Sequence, residues 1–180
     1  MSITLRELAS LIETGGPELV VSRFGDAPVM VFLKASAPEE VDYGATMKFS
    51  RSNHEDTHSG ESRSPWAALA QSDSVVVPLL KSERNPFAGV ISVGRRADND
   101  VVLLGAGISK LHALFRQTAD GWSIKDSGSR NGTYLNHLRM DAHQELPLRS
   151  GDELKFCDTR GMFMQPEELA TLCTYVRTRG

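Results

Sequence analysis

Polar clusters in the second half of the chain carry side chains that together suit an anion. Arg95 comes directly after a glycine that follows an apolar run, and Ser109 lies next to Lys110. Further along, Asn131 is followed by Gly132, which permits a tight turn with positive φ. A guanidinium can bind a phosphate in bidentate fashion, and hydroxyl and amide groups add further donors. Because a phosphorylated side chain carries about −1.5 to −2 charge and three acceptor oxygens, this set predicts a site for such a group.

The same region offers an enzymatic alternative. Ser109 and His112 are three positions apart, and Asp126 completes a Ser/His/Asp set on paper. A serine hydrolase also needs a nucleophile held on a sharp turn within reach of its base, and the sequence contains no nucleophile elbow. Spacing alone therefore does not supply a catalytic pair, and the role of His112 stays open at this point.

A metal site is a second enzymatic alternative, because His54-Glu55-Asp56-Thr57-His58 matches the H-E-x-x-H pattern of zinc proteases. The pattern binds zinc when it lies on a helix, which places both imidazoles on one side, with a third ligand elsewhere. Here serine and asparagine precede it, serine and glycine follow it, and no apolar face would bury such a helix. We therefore expect that the protein binds no metal or other cofactor and is not an enzyme.

Composition and charge narrow the class of protein. An apolar content of 40% and a charged content of 24% are ordinary for a soluble globular protein. A net charge of −3 gives no overall attraction for nucleic acid or for an anionic membrane, so neither is expected as a partner. Cys157 and Cys173 do not make a disulfide framework, and no signal peptide, membrane span or lipidation signal is found. A cytoplasmic location is expected.

The elements that must position these residues are mostly strands. From residue 74 onward, short β-type runs alternate with turn residues at intervals of about 8–12 residues, which predicts an all-β sandwich or barrel. Residues 166–179 then read as one amphipathic helix with acidic residues in its first turn and arginines near its end.

The first part of the chain is predicted to be a helix followed by a hairpin. Thr4 and Glu7 have the spacing of a capping box. The apolar face of the predicted helix contains Leu5, Leu8, Leu11 and Ile12. Glycines at 15 and 16 end this helix, and the β-type runs 18–24 and 29–34 are predicted to pair around a turn.

The predicted organisation has four parts. Residues 1–34 form the helix and β-hairpin extension, and residues 35–73 form a flexible linker or long surface loop that includes a short helical turn. Residues 74–164 form the β domain. Residues 165–180 form a helix that is expected to pack on it.

The polar clusters, taken in order, resemble the successive signatures of the forkhead-associated (FHA) domain family. The matching clusters are Val93-Gly94-Arg95, Asn99-Asp100-Val101, Ser109-Lys110-Leu111-His112-Ala113, Asp126-Ser127-Gly128-Ser129-Arg130-Asn131-Gly132-Thr133-Tyr134-Leu135-Asn136 and Leu148-Arg149-Ser150-Gly151-Asp152-Glu153-Leu154. Their order and spacing make the match far more specific than any single motif. The resemblance covers about residues 74–164. The chain as a whole resembles bacterial members of the family, which often carry additional segments outside the domain.

The resemblance implies a mainly β fold, an eleven-strand sandwich of two packed, mostly antiparallel sheets, whose loops at one end bind phosphothreonine in a partner protein. By position, Arg95 and Ser109 match residues that meet the phosphate, and Lys110 matches a residue that often lies near it. Arg130 matches a position that contributes phosphate or peptide contacts. Asn131 matches the asparagine that holds the peptide backbone.

The resemblance also implies supporting roles. Gly94 and Gly132 match glycines that shape the binding loops. His112 matches a histidine that is structural in the family and ties the binding loop together. Gly107 falls near a position where some members carry a side chain that selects the residue C-terminal to the phosphothreonine. With no side chain at Gly107, selectivity must come from elsewhere.

The sequence therefore predicts a non-enzymatic module that recognises phosphothreonine peptides and docks substrates of a Ser/Thr kinase. The alternative function is that of a phospho-independent scaffold with the same fold, which binds partners through a sheet face or through the N-terminal segment. Self-association through that N-terminal segment is a further option that the sequence leaves open.

Overall fold

The computed structural model describes residues 3–33, 46–48, 65–71 and 73–179. In these ranges the helices are Leu5–Gly15 (α1), Glu18–Phe24 (α2), Pro65–Gln71 (α3) and Pro166–Arg179 (α4). The strands are Ile3–Thr4 (β1), Val29–Phe32 (β2), Thr46–Lys48 (β3), Val75–Pro78 (β4), Val90–Gly94 (β5), Val101–Leu104 (β6), Ala113–Thr118 (β7), Gly121–Asp126 (β8), Thr133–Leu135 (β9), Leu138–Arg139 (β10), Glu145–Leu148 (β11), Glu153–Phe156 (β12) and Thr159–Met164 (β13).

The strands form two packed sheets, which confirms the predicted β-sandwich. The first sheet has the order β1-β4-β2-β13-β12-β9-β10 and is antiparallel throughout. The second has the order β11-β8-β7-β5-β6-β3, and only the pairs that β6 makes with β3 and β5 are parallel. The eleven strands that the family resemblance implied become thirteen in the described residues, because short strands such as β1 and β3 extend the two sheets.

Aromatic side chains fill the space between the two sheets. Phe115 of the second sheet stacks on Phe163 of the first, with ring centroids 6.3 Å apart, and meets Phe156 edge-on. All three are almost entirely buried, as is Phe32. Burying one such side chain contributes about 1.5–3 kcal/mol, so this cluster holds the loops between the strands on a rigid base.

A layer of helices covers part of the outer face of the first sheet. Side chains of α1 and α4, among them Leu8 and Leu172, form one apolar cluster with Val31 and Met162. Strands β2 and β13 are consequently buried on both faces, which explains why Val29–Phe32 is apolar at every position. The predicted capping box of α1 is present, and the predicted C-terminal helix forms over the expected residues.

The predicted hairpin over residues 18–24 and 29–34 is wrong. Residues 18–24 form α2. Pro17 caps its N-terminus, and Gly25, where φ is +59°, caps its C-terminus. Tertiary packing outweighs the low helix propensity of the β-branched residues that suggested a strand, since Val20 is fully buried in the helical layer. Strand β2 pairs instead with β4 and β13, far along the chain.

The apolar face predicted for the first helix is right in part. Leu5, Leu8 and Ile12 are buried, but Leu11 is 40% exposed and Ala9 takes a buried position in its place. Ala9 belongs to the same apolar cluster as the buried side chains of α4. The limits proposed for residues 1–34, 35–73, 74–164 and 165–180 stay predictions.

The predicted linker and the H-E-x-x-H pattern at residues 54–58 lie largely or wholly outside the described residues. In the part of the chain that the structure describes, no group of three or more His, Cys, Asp and Glu side chains is placed to hold a metal ion. Among the helices of that part, none combines the length and apolar character needed to cross a membrane.

Candidate functional site

Three loops meet at one end of the sandwich, and backbone hydrogen bonds tie them together. The amide of Arg95, just after β5, donates to the carbonyl of Ser109 at 3.0 Å. The amide of His112 donates to the carbonyl of Val93 at 2.8 Å, and the amide of Ser127 donates to the carbonyl of His112 at 2.9 Å. The loops after β5, before β7 and after β8 therefore hold fixed positions relative to each other.

These loops enclose a cavity of about 310 Å³ that contains four of the five predicted phosphopeptide-binding residues. The lining residues are Arg95, Ala106, Gly107, Ile108, Ser109, Lys110, Leu111 and Arg130. The fifth predicted residue, Asn131, lies at the rim, where its side-chain amide donates to the carbonyl of Gly107 at 2.8 Å. Residues separated by 36 positions in sequence are thus brought to one concave site.

The charge of this cavity is positive and uncompensated. Arg95, Lys110 and Arg130 are exposed, and none makes an ion pair or side-chain hydrogen bond with any residue that the structure describes. Arg96, by contrast, pairs with Asp98 at 2.6 Å. Of the two adjacent arginines, Arg95 is therefore the one that remains available for an anion.

Ser109 is oriented as a donor to whatever occupies the cavity. Its hydroxyl oxygen accepts a hydrogen bond from the amide of Arg130 at 3.0 Å. Because the oxygen is used as an acceptor on the loop side, the hydroxyl proton is left to donate toward the cavity. A phosphate oxygen, which can only accept, is a suitable partner for that proton.

His112 lies beneath the cavity and fixes two of the loops. It is fully buried, its Nδ1 accepts from the amide of Ser109 at 3.1 Å, and its Nε2 lies 3.2 Å from the carbonyl of Gly132. Since Nδ1 must accept and a carbonyl can only accept, the proton belongs on Nε2. Both nitrogens are therefore committed to backbone groups.

The Ser/His/Asp alternative is not assembled in this arrangement. Neither nitrogen of His112 bonds to the Ser109 hydroxyl, which is instead joined to Arg130. The carboxylate of Asp126 accepts from Ser129 and Thr133 rather than from the imidazole. A nucleophile–base–carboxylate chain requires the two hydrogen bonds that are absent among these described residues.

Asp126 is a structural residue of the site whose role the sequence did not reveal. It is almost fully buried, and one of its oxygens accepts from the amides of Gly128 and Ser129 at 2.8 and 3.0 Å. The other accepts from the hydroxyls of Ser129 and Thr133, both at 2.6 Å. Burial alone would raise the pKa of Asp126, but these hydrogen bonds outweigh it and lower the pKa. An Asp before Ser-Gly-Ser is the sequence signal of such a turn.

Close backbone approach explains the first glycine of the site. A Cβ added to Gly94 would lie 2.4 Å from the carbonyl oxygen of Lys110, a distance that no side chain tolerates. The same carbonyl accepts from the side-chain amide of the buried Asn99 at 2.8 Å. Gly94 and Asn99 together hold the Lys110 loop against β5.

The space beside Gly107 is already filled. A Cβ at that position would lie 2.3 Å from the Sγ atom of Cys157 and 3.0 Å from the side-chain nitrogen of Asn131. Burial is the main cause that raises the pKa of the Cys157 thiol, with the neighbouring Asp158 adding to it. Cys157 thus acts as a neutral, space-filling group behind Asn131. This contact could not be predicted from the sequence.

We expect acid to destabilise the fold through His112. Burial lowers the pKa of His112 below its ordinary value of 6.5, although the Gly132 carbonyl and the Asp126 carboxylate oppose the shift. At a pH near 6.5 or just below, His112 is therefore protonated to a greater extent in the unfolded chain than in the folded chain. The stability contributed by the neutral imidazole is present above about pH 6.5 and is lost as the pH falls below it.

Thermal unfolding of the wild type and His112→Gln at pH 7.5 and 5.5 measures this effect. The unfolding temperature of the wild type should fall more on acidification than that of His112→Gln, which cannot titrate. His143→Gln removes an exposed histidine and should behave like the wild type. An equal fall in all three proteins would contradict the assignment.

The fold and the site define a class: a β-sandwich binding module whose loops surround a small cationic cavity. Residues 91–157 match the family model of the FHA domain. The resemblance to the FHA domain family is therefore confirmed over residues 91–157.

Known relatives match part of this chain. The transcriptional regulatory protein EmbR of Mycobacterium tuberculosis is 35% identical over 71 residues, which are 39% of this chain and 18% of EmbR. The glycogen accumulation regulator GarA of Mycobacterium tuberculosis is 34% identical over 94 residues, covering 48% of this chain and 56% of GarA. This chain thus spans less than two thirds of either relative.

A solved structure of Mycobacterium tuberculosis EmbR in complex with a low-affinity phosphopeptide is 31% identical to this chain. The match has a TM-score of 0.43 and covers 49% of this chain and 21% of that one.

Proposed function

We propose that this protein is a phosphothreonine-peptide recognition module. The observation that carries the proposal is the cavity in which Arg95, Lys110 and Arg130 lack any anionic partner among the described residues, beside a Ser109 hydroxyl whose oxygen accepts from the Arg130 amide and whose proton is available to an acceptor. A dianionic phosphate satisfies this set of donors, whereas a single carboxylate carries less charge and fewer acceptors. The match of residues 91–157 to the FHA family supports the same assignment.

The positions of the side chains support a separate role for each residue. Arg95 and Ser109 hold the phosphate, and Lys110 and Arg130 add positive potential at the mouth of the cavity. Asn131 binds the peptide backbone. Its side-chain amide, which donates to the carbonyl of Gly107 in this structure, would donate to a peptide carbonyl instead. The partners are proteins phosphorylated by a Ser/Thr kinase, and binding needs neither a cofactor nor a covalent step. The cytoplasm remains the predicted location.

An oriented phosphothreonine peptide library screened against the wild type tests the proposal. The expected result is retention of a defined set of phosphothreonine peptides and no retention of the same peptides after phosphatase treatment. The retained sequences would also identify the residues preferred around the phosphothreonine. Equal binding of the phosphorylated and dephosphorylated pools would overturn the proposal and favour the phospho-independent scaffold.

A further inference from the structure

The helical layer leaves half of the outer face of the first sheet uncovered. The helices pack over β4, β2 and β13, where outward side chains such as Val31 and Met162 are apolar and buried. Strands β12, β9 and β10 continue the same sheet beyond that layer. Their outward side chains are polar or aromatic, and no described helix packs on them.

Four of these outward side chains lie in one row across the sheet. Arg139 is directly opposite Tyr134, Tyr134 is opposite Lys155, and Lys155 is opposite Arg160. Residues directly opposite each other on neighbouring strands share a face. Each of the four has at least one buried chain neighbour, such as Thr133, Met140 or Phe156, and successive side chains of a strand alternate between faces, so the four side chains face outward. We call Arg139, Tyr134, Lys155 and Arg160 the basic row.

The basic row carries three cations and little compensation. Lys155 Nζ lies 5.2 Å from the centroid of the Tyr134 ring, so it is held in place by a cation–π contact. Arg139 has no anionic partner among the described residues, and Arg160 reaches Glu153 only at 4.0 Å. Glu153 is also 3.7 Å from His137, at the turn that joins β9 and β10. Glu153 is therefore shared between Arg160 and His137, and its single negative charge does not balance the three cations of the row.

The row is continuous with the candidate site. The guanidinium of Arg139 lies over Gly132, because a Cβ built on that glycine would be 2.6 Å from Nε and 3.3 Å from Cζ. Gly132, with φ at +81°, directly follows Asn131 at the rim of the cavity. A peptide that leaves the cavity past Asn131 meets Arg139 first and then the rest of the basic row.

We propose that the basic row binds acidic residues that flank the phosphothreonine of the partner. Neighbouring strands are about 4.8 Å apart, so the row from Arg139 to Arg160 spans about 14 Å, the length of about four extended residues. An acidic segment of that length complements the three cations, and the half-buried ring of Tyr134 gives it an apolar contact between them. This inference rests on the proposed function and defines its substrate class as phosphothreonine next to an acidic stretch.

The test measures affinity by fluorescence polarisation with matched phosphothreonine peptides. One peptide has four glutamates before the phosphothreonine, one has four after it, and the third has glutamines at both places. The wild type should bind one of the acidic peptides about tenfold more tightly than the neutral peptide, and the preference should shrink as salt is raised. A variant that carries Arg139→Gln, Lys155→Gln and Arg160→Gln should lose the preference.

A control variant with the same change in net charge separates the row from the overall charge. Arg23→Gln, Arg84→Gln and Arg149→Gln remove three exposed cations that lie outside the basic row. This variant should keep the tenfold preference. Comparing the ratio of acidic to neutral affinity within each protein makes the result independent of small changes in folding.

The outcomes distinguish the inference from the proposed function. If the neutral phosphopeptide binds and neither acidic peptide binds more tightly, the inference fails while the phosphothreonine site stands. If no phosphopeptide binds the wild type, the proposed function fails and the inference fails with it. Tight binding of an unphosphorylated acidic peptide would show that the row acts independently of the cavity, which also overturns the inference.

Discussion

Arg95→Ala should reduce phosphothreonine-peptide affinity at least about 100-fold while the protein stays folded. Arg95 is the arginine of the cavity that follows β5 directly, and its backbone is fixed by the carbonyl of Ser109. Hydrogen bonds to charged groups contribute about 1.5–3 kcal/mol each, so losing a bidentate contact removes roughly 3 kcal/mol or more of binding free energy. The exposed side chain makes no contact that the fold needs, and the free energy of unfolding should change by less than about 0.5 kcal/mol.

The adjacent arginine provides a matched control. Arg96→Ala removes the same charge one position away, but its guanidinium pairs with Asp98 and does not line the cavity. Its effect on affinity should be within about threefold, since exposed ion pairs and distant charges contribute little. Arg95→Lys keeps the charge and loses the planar fork, which places its affinity between those of Arg95→Ala and the wild type.

Isothermal titration calorimetry with one phosphothreonine peptide ranks the variants at Arg95 and Arg96. Equal affinity of Arg95→Ala and the wild type would remove Arg95 from the site. Equal losses for Arg95→Ala and Arg96→Ala would show that only the general positive field of the loop matters. Either result would contradict the division of labour proposed for the cavity.

The succession of strands and the loop positions of the site residues could be predicted because both are local properties. Alternation, turn residues and glycines are determined within a few positions, and the β-sandwich follows from their regular spacing. Four of the predicted binding residues consequently line one cavity in the structure. Their roles in binding remain predictions, since geometry shows which side chains meet and not what they bind.

Contacts between distant segments could not be predicted. Nothing in Val29–Phe32 indicates that it inserts between β4 and β13, because an apolar strand pairs equally well with many partners. Residues 18–24 combine β-branched residues with helix-compatible ends, and packing against α1 and α4 decides in favour of the helix. The contact of Cys157 with Gly107 has the same origin, since the two residues are 50 positions apart.

The structural role of His112 leads to the second large expected effect. His112→Ala should lower the free energy of unfolding by about 3 kcal/mol and should also weaken phosphopeptide binding, although Arg95 is intact. The substitution leaves the partly buried amide of Ser109 without its acceptor. It also removes one of two donors to the carbonyl of Gly132, which still accepts from the amide of Cys157 at 3.3 Å. An unsatisfied buried group costs about 1–3 kcal/mol, and the lost packing against Phe156 adds a cavity.

Two isosteric variants separate the hydrogen bonds of His112. His112→Asn offers an acceptor near the position of Nδ1, and His112→Gln offers a donor near that of Nε2, so both should be more stable than His112→Ala in urea unfolding. Because Ser109 bears the hydroxyl that we propose meets the phosphate, His112→Asn should retain more affinity than His112→Gln. A His112→Ala protein of unchanged stability would show that the loops hold their geometry without the imidazole. Since both ring nitrogens contact only backbone groups, loss of binding through His112 reflects displacement of Ser109 and Gly132 rather than loss of a proton-transfer group.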